Sequence, residues 1–264
     1  MDLQLTDKTA LVTGSTAGIG FAIASLFAQE GAAVVVNGRS QKRVDEALER
    51  VRQQHQHARV TGVAADLGTV KGIDLLTAAV PKVDILVNNL GIFEPKPFSE
   101  ITDDDWRHFF EVNVLSGVRL SRFYMRGMLE RNWGRIVFIS SESALNIPVE
   151  MIHYGVTKTA QLALARGLAE MTVGTNVTVN SVLPGPTRSE GVVGFLQQLA
   201  KAQGSDTTAV EKEFFRSARP SSLLKRFATP EEVAAMVVYV CSPWASATNG
   251  AALRVDGGVV RSIV

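Results

Sequence analysis

The stretch Thr9–Gly20, "TALVTGSTAGIG", decides the fold of this chain. Its first half is a short apolar run, and Gly14, Gly18 and Gly20 follow where the helical pattern "GIGFAIASLFAQEG" begins. This order predicts a strand, a tight turn and a helix. Glycines there let the backbone approach a pyrophosphate, whose charge the helix N-terminus stabilises. The spacing differs from the commoner Gly-x-Gly-x-x-Gly, and a plain tight turn is the alternative, but the position between strand and helix favours nucleotide binding.

Short apolar runs alternate with helical segments along the rest of the chain. Six further strand candidates are "AAVVVNG", "ARVTGVAAD", "VDILVNN", "GRIVFISS", "NVTVNSVLPG" and "AALRVDGG". Because their apolar runs are mostly continuous, we expect strands that are buried on both faces, as in a parallel sheet between helices. We therefore predict one α/β domain over residues 1–264, with a doubly wound Rossmann fold. Its sheet is expected to be mostly parallel and seven-stranded, with helices on both faces.

Three of the helix candidates have well-defined limits. Thr102 and Asp105 predict a capping box at the start of a long helix over residues 102–131. Thr229, followed by Pro230 and Glu232, predicts a second capped helix start. A third helix is expected around residues 154–172.

Residues 188–227 are longer than a plain connection between strand and helix requires, and we interpret them as a substrate loop or lid. An equally open alternative is that its apolar side chains simply pack the loop on the core. Those side chains are Phe195, Leu196, Leu199, Phe214, Phe215 and Leu224.

Bulk composition excludes several classes of protein. Of the 264 residues 46% are hydrophobic and 20% charged, which is ordinary globular composition, and the net charge of +1 gives no case for nucleic acid or an anionic membrane. No apolar run is long enough to span a membrane and no signal peptide is evident, so a soluble, cytoplasmic protein is expected. Cys241 lies in an apolar run and is expected to be a buried structural thiol. His55 and His57 lack a third ligand nearby, so no metal is expected.

Tyr154 and Lys158 stand four residues apart in "MIHYGVTKTA". On a helix they project from one face, where an ammonium lowers the pKa of a neighbouring phenol by favouring the phenolate. An exposed tyrosine and lysine on a helix surface is the alternative for an isolated motif of this kind.

The end of the second strand bears on the choice of cofactor. NAD-binding folds usually place an acid there to accept hydrogen bonds from the ribose hydroxyls, but this chain has Gly38 followed by Arg39. Without the carboxylate a 2′-phosphate is not repelled, and a guanidinium binds it with two hydrogen bonds. NADP is therefore favoured, with Asn37 or Ser40 as further donors. A surface arginine at a helix start is the alternative.

Further motifs follow in order along the chain. They are Thr13-Gly14-x-x-x-Gly18-Ile19-Gly20, Asn88-Asn89-Leu90-Gly91, Asn113, Ser141, Tyr154-x-x-x-Lys158 and Pro184-Gly185-Pro186-Thr187. With this ordered set the chain resembles the short-chain dehydrogenase/reductase (SDR) family over nearly all of its 264 residues. Each motif is weak alone, whereas the set is specific.

The resemblance implies four catalytic residues. Tyr154 is expected to act as general acid in carbonyl reduction and as base in the reverse direction, and Lys158 to lower its pKa and hold the nicotinamide ribose. Ser141, thirteen residues before Tyr154, is expected to bind the substrate oxygen, with Ser140 the weaker candidate. Asn113 is expected to hold a water that links Lys158 to solvent. The alternative for Asn113 is a polar residue satisfied by backbone.

The resemblance also extends the cofactor site beyond the glycine turn. Asp66 and Leu67 are expected beside the adenine, and Asn89 and Gly91 along the cofactor cleft. Further cofactor contacts are expected from Thr16, Ile19, Tyr154, Lys158, Pro184, Gly185 and Thr187. Ala17 stands where NADP-preferring relatives often have an arginine, so we expect moderate selectivity for NADP, with NAD possible.

The predicted activity is hydride transfer between NADP(H) and a carbonyl or secondary alcohol, as in a carbonyl reductase. An NAD-linked dehydrogenase of sugars or secondary alcohols, or a non-catalytic nucleotide-sensing protein, is the alternative. Intact catalytic positions favour an enzyme. The resemblance further implies a homotetramer, or at least a homodimer, paired through the helices of Thr102 and Tyr154. Substrate-pocket candidates are Phe93, Leu145, Ile147, Met151 and His153, and His153 is not expected to be catalytic.

Overall fold

Seven strands form one sheet in the order β3-β2-β1-β4-β5-β6-β7, and every neighbouring pair is parallel. The structure is a computed structural model that describes residues 1–263, with the backbone alone at residues 195, 198, 199, 202 and 203. In that part of the chain the strands are β1 Thr9–Val12, β2 Ala33–Gly38, β3 Val60–Ala64, β4 Ile85–Asn88, β5 Gly134–Ile139, β6 Val177–Pro184 and β7 Ala252–Val255. The predicted fold is confirmed, and the sheet is parallel throughout rather than mostly so.

Helices cover both faces of the sheet. One layer contains α1, α2 and α9, which bury Phe21, Val44 and Val233 in a common apolar cluster. The other layer contains α3, α5 and α6, which bury Ile73, Leu120 and Ala165. The helices are α1 Gly18–Gln29, α2 Gln41–Gln54, α3 Val70–Ala79, α4 Asp103–Phe110, α5 Ser116–Glu130, α6 Ile152–Glu170, α7 Glu190–Gln203, α8 Thr207–Ser217 and α9 Pro230–Cys241.

The strand order reverses between β1 and β4, and this reversal positions the site. Val12 of β1 pairs with Val36 of β2 on one side and Val87 of β4 on the other. The connections that leave these strands therefore diverge at their carboxyl ends and leave a crevice there. Open α/β sheets bind their ligands in such a crevice.

The segment predicted as one helix over residues 102–131 consists of α4, a π-helical turn at Glu111–Leu115, and α5. The expected capping box is present, because Thr102 Oγ1 accepts from the Asp105 backbone and Asp105 accepts from the Thr102 backbone. The π turn places one more residue in the helical turn, which periodicity does not reveal.

The segment interpreted as a substrate loop contains the helices α7 and α8, so it is more regular than predicted. Leu196, Val210 and Phe215 join Phe227 in an apolar cluster of their own. Leu224 lies instead beside Gly257. Phe214 is partly buried and packs against the same cluster as Leu196 and Phe215. The side chains of the remaining predicted lid residues, Phe195 and Leu199, lie outside the described part of the chain.

Two other sequence predictions can be located in the fold. Cys241 is fully buried, and burial raises the pKa of its thiol to about 12, as suits a structural thiol. Within residues 1–263 no helix is both long and apolar enough to cross a membrane.

Candidate active site

The glycine turn after β1 has the geometry that its sequence predicts. Gly14 and Gly18 have φ values of +59° and +56°, a region that favours glycine. At Gly20 a Cβ atom would lie 2.5 Å from Asn89 Nδ2 and from Gly14 O. Asn89 Nδ2 donates to the carbonyls of Thr13 and Gly14, so this side chain holds the turn in place.

Thr13 ties the ends of β1 and β4 together at the crevice. Its hydroxyl donates to Val87 O and accepts from the backbone N–H groups of Asn89 and Leu90. Both walls of the crevice are thus fixed by one buried side chain. Asn89 lines the cavity at this crevice and also holds the turn, and its expected contact with the cofactor stays a prediction.

A cavity of about 200 Å³ lies where the adenosine end of a dinucleotide is expected. Arg39 lines it together with Ser40 and with Arg43 of α2, a second guanidinium that the sequence analysis did not single out. The signal was available, because Arg43 follows Arg39 by four residues where α2 begins. A Cβ atom at Gly38 would lie 2.5 Å from Thr16 Cγ2, so a carboxylate at this position requires Thr16 to move.

The hydrogen bonds of Asn37 correct one sequence expectation about this cavity. Asn37 cannot serve as a phosphate donor, because its amide nitrogen donates to Val63 O and Ala65 O while its oxygen accepts from Gly14 N. Asp66 Oδ1 accepts from Gly68 N in the turn after β3, and its expected place beside the adenine stays a prediction. Its neighbour Leu67 does line the cavity, as do Gly14 and Thr16.

A larger cavity of about 710 Å³ lies at the carboxyl ends of β4, β5 and β6. Most of the site residues expected from the sequence line it. They are Ile19, Asn89, Gly91, Ser141, Tyr154, Lys158, Pro184, Gly185 and Thr187. Gly185 packs against the backbone of Asp256. This close approach requires glycine, because a Cβ atom there would lie 2.5 Å from Asp256 O.

Lys158 is buried at the junction of α6, β4 and β5, with 4% of its surface exposed. Its Nζ donates to Ile139 O at 2.9 Å and to Gln161 Oε1 at 3.4 Å. Nζ lies 5.6 Å from the centroid of the Tyr154 ring. Burial disfavours the ammonium and lowers the pKa of Lys158 to about 7.

Gln161 is a residue of the site that sequence reasoning missed. Its Nε2 donates to the backbone carbonyl of Asn113 at 2.5 Å, which orients its Oε1 toward Lys158. The Asn113 side chain meanwhile bonds both backbone groups of Ile92 and Thr157 Oγ1. The Asn113 side chain is thus bonded to protein groups, and its backbone reaches Lys158 through Gln161. The link through water that the family resemblance implies stays a prediction.

Tyr154 has a raised pKa of about 12 in the structure, which differs from the lowered value that its spacing from Lys158 suggested. Burial is the main cause, Glu142 also raises the pKa, and the Ser141 hydroxyl and Arg219 lower it. Desolvation of the phenolate outweighs the lowering by the Ser141 hydroxyl and by the Arg219 guanidinium. The Tyr154 phenol therefore stays protonated across the neutral pH range.

Of the two adjacent serines, the geometry favours Ser141. Ser140 Oγ donates to the backbone carbonyl of Lys158 and so packs β5 against α6. Ser141 Oγ lies near enough to Tyr154 to lower its pKa and also contacts Glu142.

The five substrate-pocket candidates divide into two groups. Phe93 and Met151 line the large cavity, and Phe93 meets Tyr154 edge-on with ring centroids 6.3 Å apart. Leu145 and Ile147 are exposed instead, outside the lining that the structure describes. His153 is fully buried against Phe109, with ring centroids 3.9 Å apart, and burial lowers its pKa. None of these three side chains contributes to the described cavity lining, because Leu145 and Ile147 lie in the exposed segment between β5 and α6 and the His153 ring packs on Phe109 of α4.

Comparison with known proteins agrees with this geometry. A family model described as enoyl-(acyl carrier protein) reductase matches residues 14–260. The chain is 32% identical to the 3-oxoacyl-[acyl-carrier-protein] reductase of Aquifex aeolicus, over 98% of this chain and all of that protein. It belongs to the short-chain dehydrogenase/reductase family of oxidoreductases.

Two further similarities cover the whole of both chains. An uncharacterized oxidoreductase of Bacillus subtilis, YvaG, is 51% identical. The L-sorbose reductase of Gluconobacter frateurii, solved in complex with NADPH and L-sorbose, is 33% identical and superimposes with a TM-score of 0.93.

We expect burial of the Lys158 ammonium to lower the stability of the folded protein. Because the pKa falls from 10.5 to about 7 on folding, the penalty for burying the ammonium is complete below pH 7 and disappears toward pH 10.5. We expect Lys158→Met to raise the Tm of the nucleotide-free protein at pH 6 by roughly 2–6 °C. The gain should shrink as the pH rises from 7 to 10. The unpaired carbonyls of Ile139 and Gln161 offset part of the gain.

Calorimetry at several pH values tests this prediction, with Lys82→Met as the control at an exposed position. A loss of stability at pH 6, or a gain that does not vary with pH, contradicts the assignment of a buried charge.

Proposed function

We propose that the chain transfers a hydride between NADP(H) and the carbon of a ketone or secondary alcohol. The observation that carries this proposal is that Tyr154, Ser141 and Lys158 line a single cavity beside the glycine turn. The crevice residues fit a dinucleotide, since the turn leaves its backbone accessible and glycines stand at each close approach. When bound, the reduced nicotinamide supplies the hydride.

The three side chains have distinct roles in this proposal. Ser141 orients the carbonyl oxygen by a hydrogen bond. Tyr154 donates its proton to that oxygen in reduction, a role that its raised pKa suits at neutral pH. Lys158 holds the ribose with the one N–H donor that Ile139 and Gln161 leave free, and its charge eases proton loss from Tyr154 in oxidation.

Asn113 acts in this proposal as a positioning residue. Its backbone carbonyl fixes Gln161, and Gln161 in turn accepts from Lys158 Nζ. The π turn over Glu111–Leu115 changes the hydrogen-bond register of the helix at this carbonyl.

NADP is the proposed cofactor because two guanidiniums line the adenosine-end cavity. In the described part of the chain Arg39 has no ion-pair partner, and the one ion pair of Arg43 there is a 3.7 Å contact with Glu190. L-sorbose reductase was solved with NADPH, and a gluconate 5-dehydrogenase of Beutenbergia cavernae, described as putative and 32% identical to this chain, with NADP. An enzyme that uses NAD needs neither guanidinium, because NAD has no 2′-phosphate.

Removing a guanidinium tests the cofactor proposal. We expect Arg39→Ala to weaken NADPH binding roughly 10- to 100-fold, because a charge-assisted contact to the phosphate is lost. NADH binding should change by less than about twofold, and Arg43→Ala should act in the same direction. Fluorescence titration with both nucleotides measures these effects.

The matched control is Lys42→Ala, which removes an exposed cation from the same helix end outside the cavity lining. Equal losses for NADPH and NADH in Arg39→Ala, or an equal loss in Lys42→Ala, contradict the phosphate site.

Removal of the Tyr154 hydroxyl tests the catalytic proposal. We expect Tyr154→Phe to lower kcat by roughly 10²- to 10⁴-fold, since the ring remains and the transferable proton is lost. The Kd for NADPH should stay within about twofold. Tyr239→Phe, the same change at an exposed tyrosine of α9, should leave kcat unaltered. A Tyr154→Phe enzyme with half of the wild-type kcat removes this residue from the mechanism.

We further propose a homotetramer, with a homodimer as the minimum. Phe123 on α5 and Val156 on α6 are exposed apolar residues on the two helices that resemblance to the family pairs across subunits. Exposed patches of this kind usually mark contacts. We expect light scattering to give about four times the 28.4 kDa of one chain. A stable 28.4 kDa particle at micromolar concentration contradicts the assembly.

A further inference from the structure

A charged group lies at one end of the otherwise largely apolar active-site cavity. Glu142 follows Ser141 directly, and Arg219 follows α8 by two residues. Only 3% of Glu142 and 8% of Arg219 is exposed, and both side chains line the cavity. A buried ion pair is costly to desolvate and is weak evidence for stability, which directs attention to a role in ligand binding.

This charged group is connected to the proposed catalytic residues. Arg219 Nε donates to Glu142 Oε1 at 2.8 Å. The other carboxylate oxygen, Oε2, accepts from Ser141 Oγ at 3.1 Å and from Ser143 Oγ. Because Ser141 is proposed to hold the reacting oxygen, a ketone bound there would have Glu142 and Arg219 close to a carbon that neighbours its carbonyl.

Arg219 retains a free donor toward the cavity. Its Nη1 bonds Ala218 O and, at 3.4 Å, Glu150 Oε1, while Nη2 bonds no atom that the structure describes and is not sealed from solvent. The guanidinium also lies 5.9 Å from the ring centroid of Phe214 in α8. Arg219 thus lines the cavity as a buried side chain whose Nη2 keeps both of its N–H donors unused.

The net charge at this end of the cavity disfavours substrates that carry a carboxylate. Two carboxylates, Glu142 and Glu150, surround one guanidinium, so the group carries a net negative charge. A substrate carboxylate would meet repulsion there, and a purely apolar substrate would leave Nη2 without a partner. A neutral hydroxyl group avoids the repulsion and provides a partner for Nη2. It accepts from Arg219 Nη2 and donates to a carboxylate oxygen of Glu142 or Glu150.

We propose that Glu142, Glu150 and Arg219 form a subsite for a hydroxyl group on the carbon next to the carbonyl. The preferred substrates are then neutral hydroxy ketones, and vicinal diols in the oxidative direction. This inference rests on the proposed function, since it assigns the substrate of the same cavity. It assigns Arg219 as a specificity-determining residue and gives no part in hydride or proton transfer to it.

Three ketones with one carbon skeleton test the subsite in the full-length enzyme with NADPH. They are 1-hydroxybutan-2-one, butan-2-one and 2-oxobutanoate, which differ only in the group next to the carbonyl. We expect kcat/KM for the hydroxy ketone to exceed that for butan-2-one by at least about tenfold, as a hydrogen bond to a charged group provides. We expect 2-oxobutanoate to be the poorest of the three.

Substitution of Arg219 separates recognition from the intrinsic reactivity of these ketones. Arg219→Lys keeps the positive charge beside Glu142, but its single nitrogen cannot also serve a substrate hydroxyl at the position of Nη2. We expect the ratio of kcat/KM for the hydroxy ketone to kcat/KM for butan-2-one to fall by about tenfold. The value for butan-2-one itself should change less than about threefold. Arg216→Lys, the same change at an exposed ion pair of α8, should leave the ratio unaltered.

Two outcomes overturn the subsite, and a third separates it from the proposed function. Equal losses of kcat/KM with all three ketones in Arg219→Lys would show that the Glu142–Arg219 ion pair only holds α8 in place. A wild-type preference for 2-oxobutanoate would contradict the assigned charge. If Arg219→Lys does not fold, Glu150→Gln at its half-exposed position must still raise the ratio of 2-oxobutanoate to butan-2-one. Failure to reduce any ketone overturns both proposals, whereas reduction without the hydroxyl preference overturns the subsite alone.

Discussion

The burial of the Lys158 ammonium is the constraint on which the arrangement of this site depends. An amine with 4% of its surface exposed can stay protonated only if acceptors surround it. Ile139 O provides one acceptor at the end of β5, and Gln161 Oε1 provides a second from the same helix. The lowered pKa of about 7 shows that these two acceptors compensate the desolvation only in part. A further hydrogen-bonding partner in the cavity, such as a ribose hydroxyl, would therefore favour the charged form.

The buried ammonium also explains which residues surround Lys158. Gly91 leaves room for the ammonium, since a Cβ there would lie 3.2 Å from Nζ. Gln161 needs a fixed orientation, and the Asn113 carbonyl supplies it from the π turn between α4 and α5. Thr13 holds the opposite wall of the crevice by bonding the ends of β1 and β4. The lysine, the glycine turn and the cavity between them thus form one connected structure at the point where the strand order reverses.

Local patterns predicted those parts of the structure that depend on neighbours in sequence. The strand and glycine turn around Gly14, and the capped starts of α4 and α9, follow from local rules, and the structure has them. Contacts between distant segments were not predictable in this way. Arg219 meets Glu142 across 77 positions, and Gln161 meets Asn113 across 48. Nothing in their local sequence distinguishes these polar residues from those on a solvated surface. The raised pKa of Tyr154 was missed for the same reason, since burial is a property of the whole fold.

Titration of the lysine side chains by NMR in the nucleotide-free protein tests the central claim most directly. With lysines labelled at Cε and Nζ, the account predicts one resonance that titrates near pH 7 and is absent from Lys158→Met. No second lysine should titrate near pH 7, and addition of NADP⁺ should raise the pKa of the shifted lysine as the ribose hydroxyls accept from it. If every lysine titrates near 10.4, Lys158 is not a buried ammonium and the account of the site is wrong.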